Sequence, residues 1–263
     1  MQTLKLLKYQ LRDVLRSKWL LFYGLFFLLA TEGLFRFGGA HEETLLSLLN
    51  LTLLFIPLVS MIFGMLYLYN TKEFMILMLS QPIDRKSMFW GSFLGVGGPL
   101  ALAFIIGLLL PFTWYGIGSS TQVAALTMLL ISGTFLTLIF TALAFWIGIS
   151  YLEERVKGMG FGLLVWLLFA LVYDGIVLLL TFMYGDYPLE KPMIAVSLLN
   201  PIDLARILLL LEFDISALMG YTGAVFKRFF GSQMGFTVAG SFLLIWLLVP
   251  TWRGLQRFKL KDF

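Results

Sequence analysis

Apolar residues in this chain neither alternate nor recur only at every third or fourth place. They run in six long, nearly unbroken blocks: Trp19–Phe35, Leu45–Tyr69, Phe89–Trp114, Val123–Tyr151, Phe161–Met183 and Met234–Trp252. A membrane-crossing helix needs about 20 largely apolar residues. The blocks therefore predict an all-α integral membrane protein with six transmembrane helices. Continuous runs favour helices over a membrane barrel, whose strands alternate. The first block is short and the fourth long, so the helices should tilt differently. A further apolar stretch, 215–226, is too short to cross.

Between the blocks the pattern changes. Leu4, Leu7, Leu11 and Val14 recur at helical spacing, with Lys5, Lys8, Arg12 and Arg16 off that stripe. This predicts an amphipathic helix over 1–18 lying along the membrane surface. Residues 70–88 read as a short apolar helix, a turn at Gln81–Pro82 and a charged cluster. Met and Leu beside charges suggest a docking surface, or else mere extension of the flanking spans. Residues 152–158 form a charged turn carrying Glu153, Glu154, Arg155 and Lys157. The segment 184–233 is the largest piece outside the spans. Within it Asn200–Pro201 reads as an N-cap and first helical position. Helices over 202–212 and 215–230 are expected to lie in, or dip into, the outer leaflet.

Composition agrees with lipid as the solvent: 60% of residues are hydrophobic and 13% charged, against about 45–50% and 25% in soluble domains. The net charge of +4 is a matter of topology, not of nucleic acid. Fourteen of the 19 Lys and Arg flank one side of the predicted bundle: at 5–18, 72–86, 155–157 and 253–261. Arg36, Lys191, Arg206, Lys227 and Arg228 fall on the other. The positive-inside rule makes the first side cytoplasmic, with both termini there. A basic segment precedes the first block, but no A-x-A-like site follows it, so it reads as a retained span.

Candidate chemistry is sparse. There is no cysteine and one histidine, His41. This leaves no thiolate metal site, HExxH zinc site or cysteine nucleophile. No G-x-S-x-G elbow and no GxxxxGK[ST] phosphate loop occurs, so no cofactor, metal site or catalytic residue is assigned, and the chain is not expected to be an enzyme. Met61 with Met65, and Met75 with Met78, offer thioethers to copper but equally suit packing. Asp174 stands inside the fifth block, where a charge costs about 2.5–3.5 kcal/mol on insertion scales. It must face the bundle interior, pair, or be protonated, as a gating residue or as a helix-to-helix hydrogen bond. Gly91 and Gly95 permit close helix approach, and Pro99 should bend the third span. Thr134, Thr137 and Thr141 form a polar stripe on the fourth.

These pieces resemble the ABC-2 type permease family. Glu73, then Leu79-Ser80-Gln81-Pro82-Ile83-Asp84-Arg85, then Gly91 is similar to that family's loop pattern, although Ser92 stands where the family has lysine. The stretch around Tyr173-Asp174-Gly175, followed by Leu198-Leu199-Asn200-Pro201-Ile202-Asp203-Leu204-Ala205-Arg206, is similar to the permeases of nitrous oxide reductase maturation transporters (NosY-like). The resemblance implies a homodimeric permease in the bacterial inner membrane. It implies contact with cytoplasmic ABC ATPase subunits, which bind ATP and Mg, through Glu73, Pro82, Asp84, Arg85, Glu153, Glu154 and Arg155. A periplasmic β-helix partner protein would meet Asn200, Pro201, Asp203 and Arg206, and the output would serve copper-site maturation. Alternatives are an ABC-2 exporter of a lipid, drug or ion, and a proton-driven secondary transporter working through Asp174.

Overall fold

The computed structural model describes residues 10, 14, 16–38, 41–81, 83–116, 119–184, 190–212 and 233–261, and every regular element among them is a helix. These are α1 (Lys18–Gly38), α2 (His41–Asn70), α3 (Lys72–Leu79), α4 (Arg85–Tyr115), α5 (Ser120–Ser150), α6 (Arg155–Met183), α7 (Glu190–Leu198), α8 (Pro201–Glu212) and α9 (Gln233–Leu260). Six of them, α1, α2, α4, α5, α6 and α9, are long and apolar enough to cross a membrane. They coincide with the six apolar blocks and extend a few residues beyond most of their ends. The protein is a multi-pass membrane protein. Its expected interfacial helix and the stretch 213–232 lie outside the described residues, apart from Gln10, Val14 and 16–18.

Helix ends follow local chemistry. The Ser119 N–H donates to Gln122 Oε1 at 3.0 Å, which is half of a capping box at the start of α5. Gly116, at φ 82°, follows the end of α4. That left-handed conformation suits a residue without Cβ. Within 70–88 the flanking helices supply Asn70 and residues 85–88, and α3 stands between them as a separate helix.

α5 is the hub, packing against α2, α4, α6, α8 and α9. Its buried face is continuous from Ala125 to Ile149. Small residues set the closest approaches. A Cβ on Gly64 would lie 2.8 Å from that of Ala144, and one on Gly107 would lie 2.6 Å from the Gly24 carbonyl. The backbones of α2 and α5, and of α1 and α4, touch there. Aromatic rings fill the wider gaps. Phe27 meets Phe104 edge-on at 5.0 Å, and Phe35 meets Phe112 at 4.8 Å. Met61 and Met65 are buried and fit around Gly162, filling space between α2 and α6.

The threonine stripe of α5 is turned onto its own backbone. Thr134, Thr137 and Thr141 donate to the carbonyls of Leu130, Gly133 and Thr137 at 2.7–2.8 Å. On α4, Ser92 accepts from Gln10 Nε2 at 2.9 Å and donates to the Met88 carbonyl. Gly95 leaves room for the Gln10 side chain, since a Cβ there would lie 2.8 Å from that of Gln10. Gly95 and Ser92 on the third span thus receive Gln10.

α7 and α8 together are as apolar as a span but bend by 113° at their junction. α8 packs against α5, α9 and α2, with Ile202, Leu204, Ala205, Ile207 and Leu209 buried. The two helices form a folded-back hairpin seated in the bundle. α6 is the least buried of the six long helices. Near its middle it passes through a π-turn, Leu168–Val172, a feature often found at functional positions.

Candidate functional site

At the basic end of the bundle the two charged loops meet. A groove of about 860 Å³ is lined by residues 72–76 of the α3 segment on one side and 152–157 of the α5–α6 turn on the other. The Lys72 Nζ lies 2.6 Å from Glu153 Oε2 and ties the walls together. The hydrogen bond from Lys72, and then its positive charge, hold the Glu153 carboxyl below its usual range. Lys157 pairs with Glu154 at 2.6 Å. Arg155 Nη2 donates to the Tyr69 carbonyl at 2.7 Å, which closes the C-terminal end of α2. Glu73 is exposed on this groove, and Val156 is 87% exposed at its rim. The result is a concavity lined by charged residues with Ile76, Leu152 and Val156 among them, its shape held by internal ion pairs. Such a surface suits docking of another protein.

Of the residues expected at a coupling surface, Glu73, Glu153, Glu154 and Arg155 come together here. Asp84 is exposed and stands at the N-cap position of α4. Pro82 lies outside the described residues. Arg85 is elsewhere: its Nη1 donates to the carbonyls of Lys259 and Lys261 at 2.6 and 2.8 Å, across the end of α9. Sequence reasoning placed it on a docking face; the fold also uses it as a clasp on the carboxyl-terminal helix.

A second cluster lies at the junction of α6 with the hairpin. Arg206 Nη1 is 2.8 Å from both carboxylate oxygens of Asp174 and 3.8 Å from Asp203 Oδ1. Asn200 carries two jobs. Its Oδ1 accepts from the Ile202 amide at 2.9 Å, an N-cap on α8. Its Nδ2 donates to the Phe169 carbonyl at 2.9 Å, inside the π-turn of α6. The Tyr173 hydroxyl donates to the Val196 carbonyl on α7, and Trp246 Nε1 donates to the Leu198 carbonyl at 3.2 Å. The bend between α7 and α8 is thereby pinned to α6 and α9.

The four residues of the external motif are thus engaged within the chain. Asn200, Pro201 and Asp203 are buried and Arg206 is 26% exposed. In this conformation they face the chain's own helices and leave little surface for a partner. Asp174 takes the pairing option open to an intramembrane carboxylate, with Arg206 as its cation.

The whole chain can now be set beside known proteins. The family model described as ABC-2 family transporter protein matches residues 4–263. The chain belongs to the ABC-2 transporter family. It is similar to a protein of Stutzerimonas stutzeri named "Probable ABC transporter permease protein NosY", 29% identical, with 94% of this chain and 92% of that protein covered. A protein of the same name from Pseudomonas aeruginosa is 27% identical, covering 93% and 91%. This ABC-2 chain is therefore a permease, the membrane-embedded kind of ABC transporter subunit, whose family implies ATPase partners. The residues that sequence reasoning missed in this permease are Lys72 and Tyr69. Neither belongs to a motif, and only the fold brings them to Glu153 and Arg155.

Proposed function

We propose that this permease receives work from cytoplasmic ATPase subunits at the groove between residues 72–76 and 152–157 and passes it through the bundle to a periplasmic partner. The observation that carries this reading is the convergence of the two charged loops into one ion-paired concavity at the basic end of the bundle. The positive-inside distribution supports a cytoplasmic location for that end and for both termini, in a bacterial inner membrane. The pinned hairpin α7–α8 is the element that relays motion outward, and the homodimer is the working unit. The NosY name of the similar permeases supports a role in copper-site maturation of nitrous oxide reductase. ATP and Mg are bound by the partner, and the chain itself carries no catalytic residue.

The chain lacks cysteine, so a single Val156→Cys has no background. In membranes, its maleimide labelling is expected from the cytoplasmic face only, and co-expressed ATPase should suppress it by fivefold or more. Labelling from the outside, or labelling unchanged by the ATPase, overturns the coupling role. Removal of the gene from its native cell should leave nitrous oxide reductase depleted of copper; a fully loaded enzyme would remove the maturation assignment while leaving the coupling site intact.

A further inference from the structure

A second cavity, of about 610 Å³, opens between α5, α6 and α9. Three helical stripes line it. α5 contributes Leu143, Trp146 and Ser150 at helical spacing, and α6 contributes Phe161, Val165 and Phe169 four residues apart. From α9 come Trp246 and Arg257, eleven residues apart. At 100° per residue these two stand about 20° apart on one helix face, and at 1.5 Å per residue they are roughly 16 Å apart along the axis. The hydrocarbon core is about 30 Å thick, so the groove is about one leaflet deep.

The groove is graded along that depth. Its inner part is Leu143, Phe169 and Trp246. Its mouth, at the basic end, is Ser150, Tyr151 and Arg257. Arg257 is the one charged lining residue, and among the described residues it has no carboxylate partner. The Ser150 hydroxyl donates to the Trp146 carbonyl at 2.8 Å, and Trp246 Nε1 is engaged by Leu198. The walls below the mouth therefore present apolar surface, with the Arg257 cation above them.

We propose that this groove binds one anionic phospholipid from the leaflet at the basic end, with an acyl chain along Phe161, Val165 and Trp246 and the headgroup phosphate on Arg257. Charge complementarity selects the ligand. A basic residue at the headgroup level between membrane helices attracts anionic lipid, and an aliphatic stem with a polar tip suits that boundary. A zwitterionic lipid would fill the same apolar space but leave Arg257 with a weaker counterion.

The test is native mass spectrometry of the full-length chain in detergent, with phosphatidylglycerol or phosphatidylcholine of identical acyl chains added at equal concentration. Adducts of phosphatidylglycerol should exceed those of phosphatidylcholine at least threefold. Arg257→Gln should bring the two to parity. Val165→Trp, which fills the groove, should reduce phosphatidylglycerol adducts threefold or more; Leu143→Trp does the same from the opposite wall if the first variant fails to fold. Parity in the unaltered chain, or a preference that survives Arg257→Gln, overturns the proposal. So does a folded groove-filling variant that keeps its adducts, because the headgroup would then be held outside this cavity.

Discussion

Arg206, on the buried hairpin helix α8, and Asp174, past the π-turn of α6, are joined by a guanidinium nitrogen equidistant from both carboxylate oxygens at 2.8 Å. The pair links the least buried long helix to an element seated on the hub helix α5. Both side chains are partly open on the chain's surface, at 26% and 38%. The bond is therefore weaker than a fully buried one, but neither charge is stable alone at membrane depth. Asp174→Asn and Arg206→Met should each lower stability by about 1–3 kcal/mol. The double variant should lose less than the sum, with a coupling of about 0.5–3 kcal/mol. Thermal unfolding in detergent measures all three, and strict additivity would mean that the two residues do not support each other.

Asn200→Ala should be costlier than an ordinary N-cap loss. Removing the cap alone costs about 0.5–2 kcal/mol. Here the same side chain also bonds the part-buried Phe169 carbonyl within the π-turn, and the loss of such a hydrogen bond adds about 0.5–1.5 kcal/mol. Asn200→Asp keeps the acceptor for the Ile202 amide and loses only the donor. A stability ranking of wild type, then Asp, then Ala is expected from melting curves. Equal melting of the Asp and Ala variants would assign the whole effect to the π-turn contact.

The spanning helices were legible because lipid imposes a length on an apolar run and asks nothing of its partners. The hairpin was not legible on the same terms. Each of α7 and α8 is too short to cross, and only the 113° bend and the buried faces make them one unit. The stretch 202–212 read as a helix lying in, or dipping into, the outer leaflet because it is too short to cross; in the fold its Asp203 and Arg206 face Asp174 and each other. Sequence could say that Asp174 needed a partner but not which, since Arg206 is 32 residues away and the intervening turn decides the pairing. The clasp made by Arg85 spans 174 residues, beyond any local pattern. The family resemblance gave both charged loops to the same ATPase partner, but their meeting in one groove was not read from the sequence. Lys72, which joins them, carried no motif and looked like one more solvated charge.

The bridge between Lys72 and Glu153 carries a defined pH dependence. Because the Glu153 carboxyl titrates below its usual range in the folded chain, the bridge contributes throughout the region above the ordinary carboxylate value of about 4.3. It is lost as pH falls through the lowered value. The groove should keep its geometry from neutral pH down to the ordinary carboxylate range and loosen only below it. Isotope-edited carboxylate NMR on selectively labelled Glu reads this directly. A Glu153 midpoint at or above that of free glutamate would show that Lys72 does not hold it, and in Lys72→Met the midpoint should return toward the ordinary value.

Glu73 and Arg85 stand close in the loop sequence but should fail in different ways. Glu73 is exposed on the groove, so Glu73→Lys should leave melting within about 0.5 kcal/mol of wild type. Its effect should fall on association, where a reversed rim charge acts on the encounter with the partner. Arg85 holds the carbonyls at the end of α9, beside Phe258, whose ring packs 5.9 Å from that of Phe89. Arg85→Ala should release that clasp, at a cost of about 1–3 kcal/mol for charge-assisted hydrogen bonds. Limited proteolysis should then cut the tail near Lys259 faster than in wild type. Co-purification of the ATPase subunit completes the comparison. Loss in Glu73→Lys with an intact tail would assign the groove to coupling. Loss confined to Arg85→Ala, together with rapid tail cleavage, would instead assign coupling to the carboxyl-terminal helix and detach it from the groove.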